Sequence, residues 1–282
     1  MNRKQRTGTR IFVYVCLAVL MFFVLFPYYW LIISSFKSSE EIFSLIPTFF
    51  PHKFTAEGYQ YAFSKSPGPD LMPLLANSLT VSIGTAVISC FFAATGGYAI
   101  GRKKFPGLNA IVLFLMIAQM FQGPIIMVPW YKMAGRMHVL NTRMGLIMIY
   151  LTSTIPIGVW LMSGFFKGIP VELEEAAEID GCTKLKTFLK IVLPLSKGGL
   201  VSITIYSFIL AWNDYQYALI LTSSAKAKTV QLGIGELMGS LGVINWGGIM
   251  ACGVVVTVPV VILFAVIQKY LVEGLTAGAV KG

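Results

Sequence analysis

Six apolar runs of 22 to 27 residues limit what this chain can become: 11–33, 74–100, 108–130, 145–166, 200–221 and 247–268. Together they hold one formal charge, Asp214. A membrane-crossing helix needs about 20 mainly apolar residues to traverse about 30 Å of hydrocarbon, and each run meets that length. Backbone polar groups in lipid must be satisfied within their own segment, so the runs are read as helices and not as strands of an open sheet. The expected fold class is an all-α membrane protein with six transmembrane helices. Composition agrees: 56% of the 282 residues are hydrophobic and 12% charged, against about 25% charged in soluble domains.

The first run follows Arg3, Lys4, Arg6 and Arg10, like the start of a signal peptide. It continues through Pro27, Tyr28, Tyr29 and Trp30, well past the short apolar core of such a peptide, so it is read as a retained span. Of the 22 Lys and Arg, 14 fall on the amino-terminal side of a six-span topology and 8 on the opposite side. The positive-inside rule then places both termini in the cytoplasm, with Arg102, Lys103 and Lys104 in a tight inner turn. Trp30, Trp130, Tyr131 and Trp246 fall near the outer boundary, where amphipathic rings anchor.

The net charge of +10 is spread between apolar runs rather than gathered in a basic domain, so no nucleic-acid role is expected. His52 and His138 lie in different outer loops without acidic or cysteine neighbours, and Cys16, Cys90, Cys182 and Cys252 form no CxxC pair; no metal site is expected. Gly96 to Lys103 is the nearest approach to a phosphate-binding loop. It has Arg102 in place of the lysine and lacks the strand-to-helix setting, so ATP chemistry is not expected in this chain.

The inner loop 167–199 is unlike the rest. Glu172, Glu174, Glu175, Glu178 and Asp180 supply five of the twelve acids within nine positions. Pro170 can open a helix, its carboxylates complement the positive end of the dipole, and Gly181 is placed to end it. Glu174, Ala177, Glu178 and Gly181 share one helical face by their spacing, with Ala176 and Ala177 forming a shallow strip. Thr183 is placed to cap a second helix, and Pro194 to break the run before span five. Either a docking surface or a soluble connector fits these residues taken alone.

Glu175-Ala176-Ala177, three residues, Gly181, nine residues, then Ile191-Val192-Leu193-Pro194 resembles the EAA loop of ABC importer permeases in both spacings and every fixed letter. The likeness extends to PIIMVPWY at 124–131, LNTRMGLI at 140–147, WNDYQYALIL at 212–221 and the tail GLTAGAVKG at 274–282, all similar to the carbohydrate-uptake branch typified by the maltose permease. Cys182 stands where many relatives would carry Ala. The resemblance implies a type I ABC importer permease fold in a bacterial inner membrane. It divides the chain into a leading part at 1–70, a permease core at 71–270 and a cytoplasmic tail at 271–282. It implies that Glu174, Glu175, Ala176, Ala177, Glu178, Asp180 and Gly181, followed by Ile191, Leu193 and Pro194, couple the chain to an ATPase. Glu175 would be a polar contact, Ala176 and Ala177 the close-packed surface, and Gly181 the turn. The implied partners are a second homologous permease in a heterodimer, two cytoplasmic ATPase subunits that hold ATP and Mg, and an extracytoplasmic sugar-binding protein. No cofactor is expected on this chain, which would be a transport subunit and not an enzyme.

Candidates for the substrate path come from polar groups in the apolar runs. Asn77 stands with Ser78, Thr80, Ser82, Thr85 and Ser89 in span two, a set that serves either pore lining or close helix packing. Gln119 and Gln122 lie one turn apart in span three beside Gly123-Pro124, which should kink that helix; their amides could meet sugar hydroxyls or neighbouring helices. Asp214, the intramembrane acid, is a functional suspect because such groups are costly. With Trp212, Asn213 and Tyr215 it could contact sugar, or it could pair with a cation on the partner permease. A stand-alone secondary transporter or channel usually needs several intramembrane charges, and a membrane transferase needs a catalytic cluster; neither is evident.

Overall fold

The computed structural model describes residues 3–65, 68–103, 106–121, 123–239 and 244–279, with side chains left out at 3–9, 109, 124 and 269–279. The described residues are helical or irregular, without strands. They run α1 (Arg3–Ser35), α2 (Ser39–Ile42), α3 (Glu57–Phe63), α4 (Leu71–Arg102), α5 (Leu108–Ala118), α6 (Pro124–Arg136), α7 (Arg143–Lys167), α8 (Glu172–Ile179), α9 (Lys184–Thr187), a π-helical turn (Phe188–Val192), α10 (Leu193–Leu195), α11 (Lys197–Asn213), α12 (Gln216–Leu221), α13 (Val230–Gly239) and α14 (Trp246–Ala279). The chain groups into two compact units, 1–71 with 236–259, and 72–235 with 260–282.

Four described helices are long and apolar enough to cross a membrane: Arg10–Ser35, Leu71–Arg102, Arg143–Lys167 and Trp246–Gln268. A fifth crossing results if Lys184–Leu195 and Lys197–Asn213, bent by 76°, count as one broken span. Two of the six apolar runs are not single straight helices: 108–130 breaks at the glycine-proline pair, where a kink is expected, and 200–221 breaks at Asp214. The run 108–130 is covered by α5 and the first half of α6 with a break between them, and α5 alone is 11 residues, about 16 Å of helix at 1.5 Å per residue. Gly123 makes the break, at φ 78° and ψ −144°, a conformation open essentially to glycine alone. Pro124, with no N–H to donate, takes the first position of α6. The run 200–221 ends as helix at Asn213, and α12 begins after an extended Asp214.

In the first unit, α1 carries an almost continuous exposed apolar surface from Ile11 to Phe26, as expected of a helix whose solvent is lipid. The polar chain after it folds around Lys37, which is 4% exposed. Its ammonium donates to the Thr48 carbonyl and lies 4.5 Å from the Trp30 ring centre. Glu41 accepts the Thr48 hydroxyl at 2.5 Å and the His52 N–H at 3.1 Å. The Thr48 hydroxyl in particular holds the Glu41 carboxyl below its ordinary range. These contacts thus favour the folded loop at neutral pH and lose their contribution as pH falls through that lowered value.

In the second unit α4 lies along α7 with glycines at the crossing. A Cβ on Gly97 would come within 2.6 Å of Met162 Cβ and 3.0 Å of the Ser163 nitrogen, and one on Gly101 within 3.2 Å of Phe166 Cβ. Glycines four apart let helix backbones approach closely, which is how helices associate where lipid removes the hydrophobic drive. Ser78, Ser82, Thr85 and Ser89 continue along α4 at helical spacing, all nearly or fully buried, and Ser89 shares a hydrogen bond with Thr154 of α7. That burial favours packing over pore lining for these hydroxyls; Thr80 alone of the set is exposed. Ala93, Met162, Phe166, Val192 and Ile203 form the core at the α8 end of this unit.

Candidate functional site: the coupling helix and the polar path

Helix α8 begins at Glu172 with Val171 as its N-cap, so Pro170 stands just ahead of it and not in its first turn. Three acids, Glu172, Glu174 and Glu175, occupy that first turn, favoured there by the helix dipole. The end is a Schellman arrangement. Cys182 N–H donates to Ala177 O at 2.9 Å and Gly181 N–H to Glu178 O at 3.1 Å, with Gly181 at φ 84°, the left-handed state glycine adopts without penalty. Thr183 then caps α9, its hydroxyl accepting the Lys186 N–H at 3.4 Å. The run to Pro194 closes with a π-helical turn holding Ile191, then α10 with Leu193 and Pro194, before the bend at Ser196.

The face that α8 turns to its own chain differs from the sequence expectation. Glu174 Oε1 stands 2.6 Å from Arg102 Nε as an ion pair, and its Oε2 accepts the Tyr98 hydroxyl at 2.6 Å. Ala177 is 5% exposed. Glu174 and Ala177 are therefore the inward anchors of the helix, and Ala177 is not part of a free docking strip. Glu175, Ala176, Glu178, Ile179, Asp180 and Gly181 are exposed, Ile179 at 86%, an unusual solvent position for so large an apolar side chain. The outward face is therefore acidic around a small-residue patch with one protruding isoleucine, which sequence spacing had not singled out.

The polar candidates of the spans are not gathered into one site. Asn77 is 1% exposed and fully used: its amide nitrogen donates to the carbonyls of Ala225 and Lys228 at 2.9 and 2.8 Å, and its oxygen accepts Arg143 Nε at 2.8 Å. Both of its N–H donors are taken up within the chain, so in this conformation it acts as a latch on the 225–228 stretch. Ser78 adds a bond from the Val230 N–H. Asn141, overlooked in the sequence, grips the same region by accepting the Ser223 and Ser224 N–H groups at 3.0 Å; its φ of 57° is one that Asn tolerates better than most residues. Trp212 is 1% exposed and stacked on Phe208, centres 5.5 Å apart, so it is core and offers no free ring face.

Asp214 is satisfied inside its own chain. One carboxylate oxygen accepts the Tyr150 hydroxyl at 2.7 Å and the N–H groups of Tyr217 and Ala218 at 3.1 and 3.0 Å. It thus caps α12 and braces α7, and neither an open sugar contact nor a cation partner is needed to explain it. Asn213 and Tyr215 remain exposed. Gln119 donates to the Thr152 carbonyl at 3.0 Å, tying the end of α5 to α7. Gln122 lies outside the described residues.

In the second unit, two long apolar helices, α4 and α7, stand beside an acidic helix, α8, that is held on an internal ion pair with its remaining acids exposed. The chain belongs to the family described as binding-protein-dependent transport system inner membrane component, which matches residues 1–276. It is 37% identical over the full length of both chains to the inner membrane ABC transporter permease protein YcjP of Escherichia coli K12. It is 35% identical to the trehalose/maltose transport system permease protein MalG of Thermococcus litoralis, covering 94% of this chain and 95% of that one. Its fold matches a chain of a bacterial ABC transporter involved in the import of the acidic polysaccharide alginate, with TM-score 0.80, 22% identity, and 96% and 98% of the two chains covered. The fold is thus that of an ABC importer permease, a multi-pass inner-membrane transport subunit and not an enzyme.

Proposed function

We propose that the chain is one half of the translocation path of an ATP-driven carbohydrate importer, paired with a second, homologous permease and fed by an extracytoplasmic sugar-binding protein. The observation that carries this reading is α8: an exposed acidic face around Ala176 and Gly181, backed by buried anchors, on a chain similar over 94% of its length to a permease named for trehalose and maltose. In this reading the α5–α6 pair supplies the third crossing and the bent α9–α11 segment the fifth, giving six, with both termini and α8 in the cytoplasm.

ATP and Mg would sit on two partner ATPase subunits, since this chain has no phosphate loop. Closure of those subunits around ATP would displace α8 and its counterpart, shifting a two-state pore from inward- to outward-facing. Glu175, Glu178 and Asp180 are then polar contacts to the ATPase, and Ala176 with Gly181 gives the close approach. Asn213 and Tyr215 are the remaining candidates for the substrate path.

Affinity capture of the tagged chain from its native membranes should recover a second permease and an ATPase, with the binding protein joining when ATP·Mg·vanadate is added. Recovery of the chain as a lone oligomer with no ATPase would overturn the reading.

A further inference from the structure

We infer that Arg102, Glu174 and Tyr98 form a rigid joint by which movement of α8 is passed into α4 and α7; the inference rests on the proposal that α8 docks an ATPase. Tyr98 and Arg102 are four residues apart on one face of the last turns of α4. Arg102 holds both sides of the turn entering α8: its Nη2 donates to the Ile169 carbonyl at 2.9 Å while its Nε faces Glu174. The two charged side chains are 11% and 12% exposed, so the pair is largely shielded from water and loss of either partner leaves the other charge stranded.

The Tyr98 hydroxyl occupies the second carboxylate oxygen of Glu174. Its ring lies 5.7 Å from Phe166 of α7 and 4.7 Å from Phe188 of the π-helical turn, and Phe166 and Phe188 are themselves 6.2 Å apart. One residue therefore touches the elements on both sides of α8 as well as α8 itself. Close by, Gly97 and Gly101 bring α4 against the α7 backbone. A push on the outward face of α8 has no soft element behind it, and reaches two long helices through a buried ion pair and three rings. Glu174, the residue just before Glu175-Ala176-Ala177, is thus a positioning residue and not an ATPase contact.

Two arms test this on a cysteine-free background. In nanodiscs holding the chain alone, spin labels at Thr95→Cys and Ile179→Cys should give a narrow distance distribution, broadened by Arg102→Gln or Glu174→Gln. In the captured complex, maleimide labelling of Asn213→Cys should change about tenfold in rate when ATP·Mg·vanadate is trapped. Arg102→Gln should cut that response below about twofold while the ATPase is still captured, and Arg102→Lys should restore much of it. A purely structural role predicts instead that ATPase capture and the labelling response fall together. Full response in Arg102→Gln with the ATPase bound overturns the joint alone. A wild-type chain that captures no ATPase overturns the docking reading and, with it, the transmission claim, whereas the distance arm still reports whether α8 is held by Arg102.

Discussion

Gly181→Asp is expected to reach the membrane at the wild-type level and to lose both ATPase capture and uptake. The two halves of that result have separate causes. Gly181 sits at φ 84° and a Cβ there would meet nothing within 4 Å, so the chain itself feels only backbone strain. That strain is about 1–2 kcal/mol for an ordinary residue in the left-handed region, and Asp is among the side chains that visit it most readily. The Schellman bonds from Gly181 and Cys182 are main-chain bonds and survive the change. An unpaired carboxylate in a closely packed interface costs about 2–5 kcal/mol, a loss of roughly thirtyfold or more in affinity. The interface term is the larger, so docking fails while folding holds. Gly181→Asn keeps the backbone preference without the charge and should fall between wild type and the aspartate. Normal ATPase capture by Gly181→Asp would remove α8 from the coupling role.

Gly97→Leu should have the opposite signature, loss of the folded chain before any effect on docking can be read. A leucine gains somewhat less than the about 0.8–1 kcal/mol by which alanine exceeds glycine in intrinsic helix propensity. Against that, its Cβ would lie 2.6 Å from Met162 Cβ and 3.0 Å from a main-chain nitrogen, which cannot swing aside as a side chain would. Overpacking of this kind typically costs about 1–3 kcal/mol, and here α4 and α7 must separate. The expected readout is a lower thermal midpoint in detergent and poor recovery from membranes. Gly164→Ala on α7 is the control: a Cβ there meets nothing within 4 Å, so only the propensity gain remains and stability should rise slightly. A Gly97→Leu protein with an unchanged midpoint would show that the α4–α7 contact is not close.

These two glycines also mark how far the sequence could be read. Gly181 was legible because its setting is local: an acidic first turn, a short helix and a glycine at the cap position. Gly97 and Gly101 gave no such signal, since their reason for being glycine is the backbone of α7 around Met162 and Ser163, far along the chain. The apolar runs were legible by length, and the glycine-proline pair in 108–130 marked where that run departs from a straight helix, although the full break, with the Gly123 backbone leaving helical space altogether, goes beyond a kink. Asp214 was rightly singled out as costly, yet its partners are Tyr150 and two N–H groups of α12, and those N–H groups became available only because the helix stops at Asn213. The latch made by Asn77 was not legible for a related reason: the carbonyls it satisfies lie 148 and 151 residues along the chain. Within the acidic loop, spacing gave the helix but not its rotation. Which face turns inward depends on Arg102 and Tyr98, and nothing in residues 172–181 encodes their position.

The most direct measurement of the central claim is uptake by proteoliposomes holding the captured complex, loaded with ATP·Mg, given its binding protein and offered radiolabelled trehalose, maltose and a range of oligosaccharides. The expected result is accumulation of at least one sugar that requires both ATP inside and the binding protein outside, and that disappears with Gly181→Asp. Uptake by the purified chain alone on an ion gradient, without an ATPase, would contradict it.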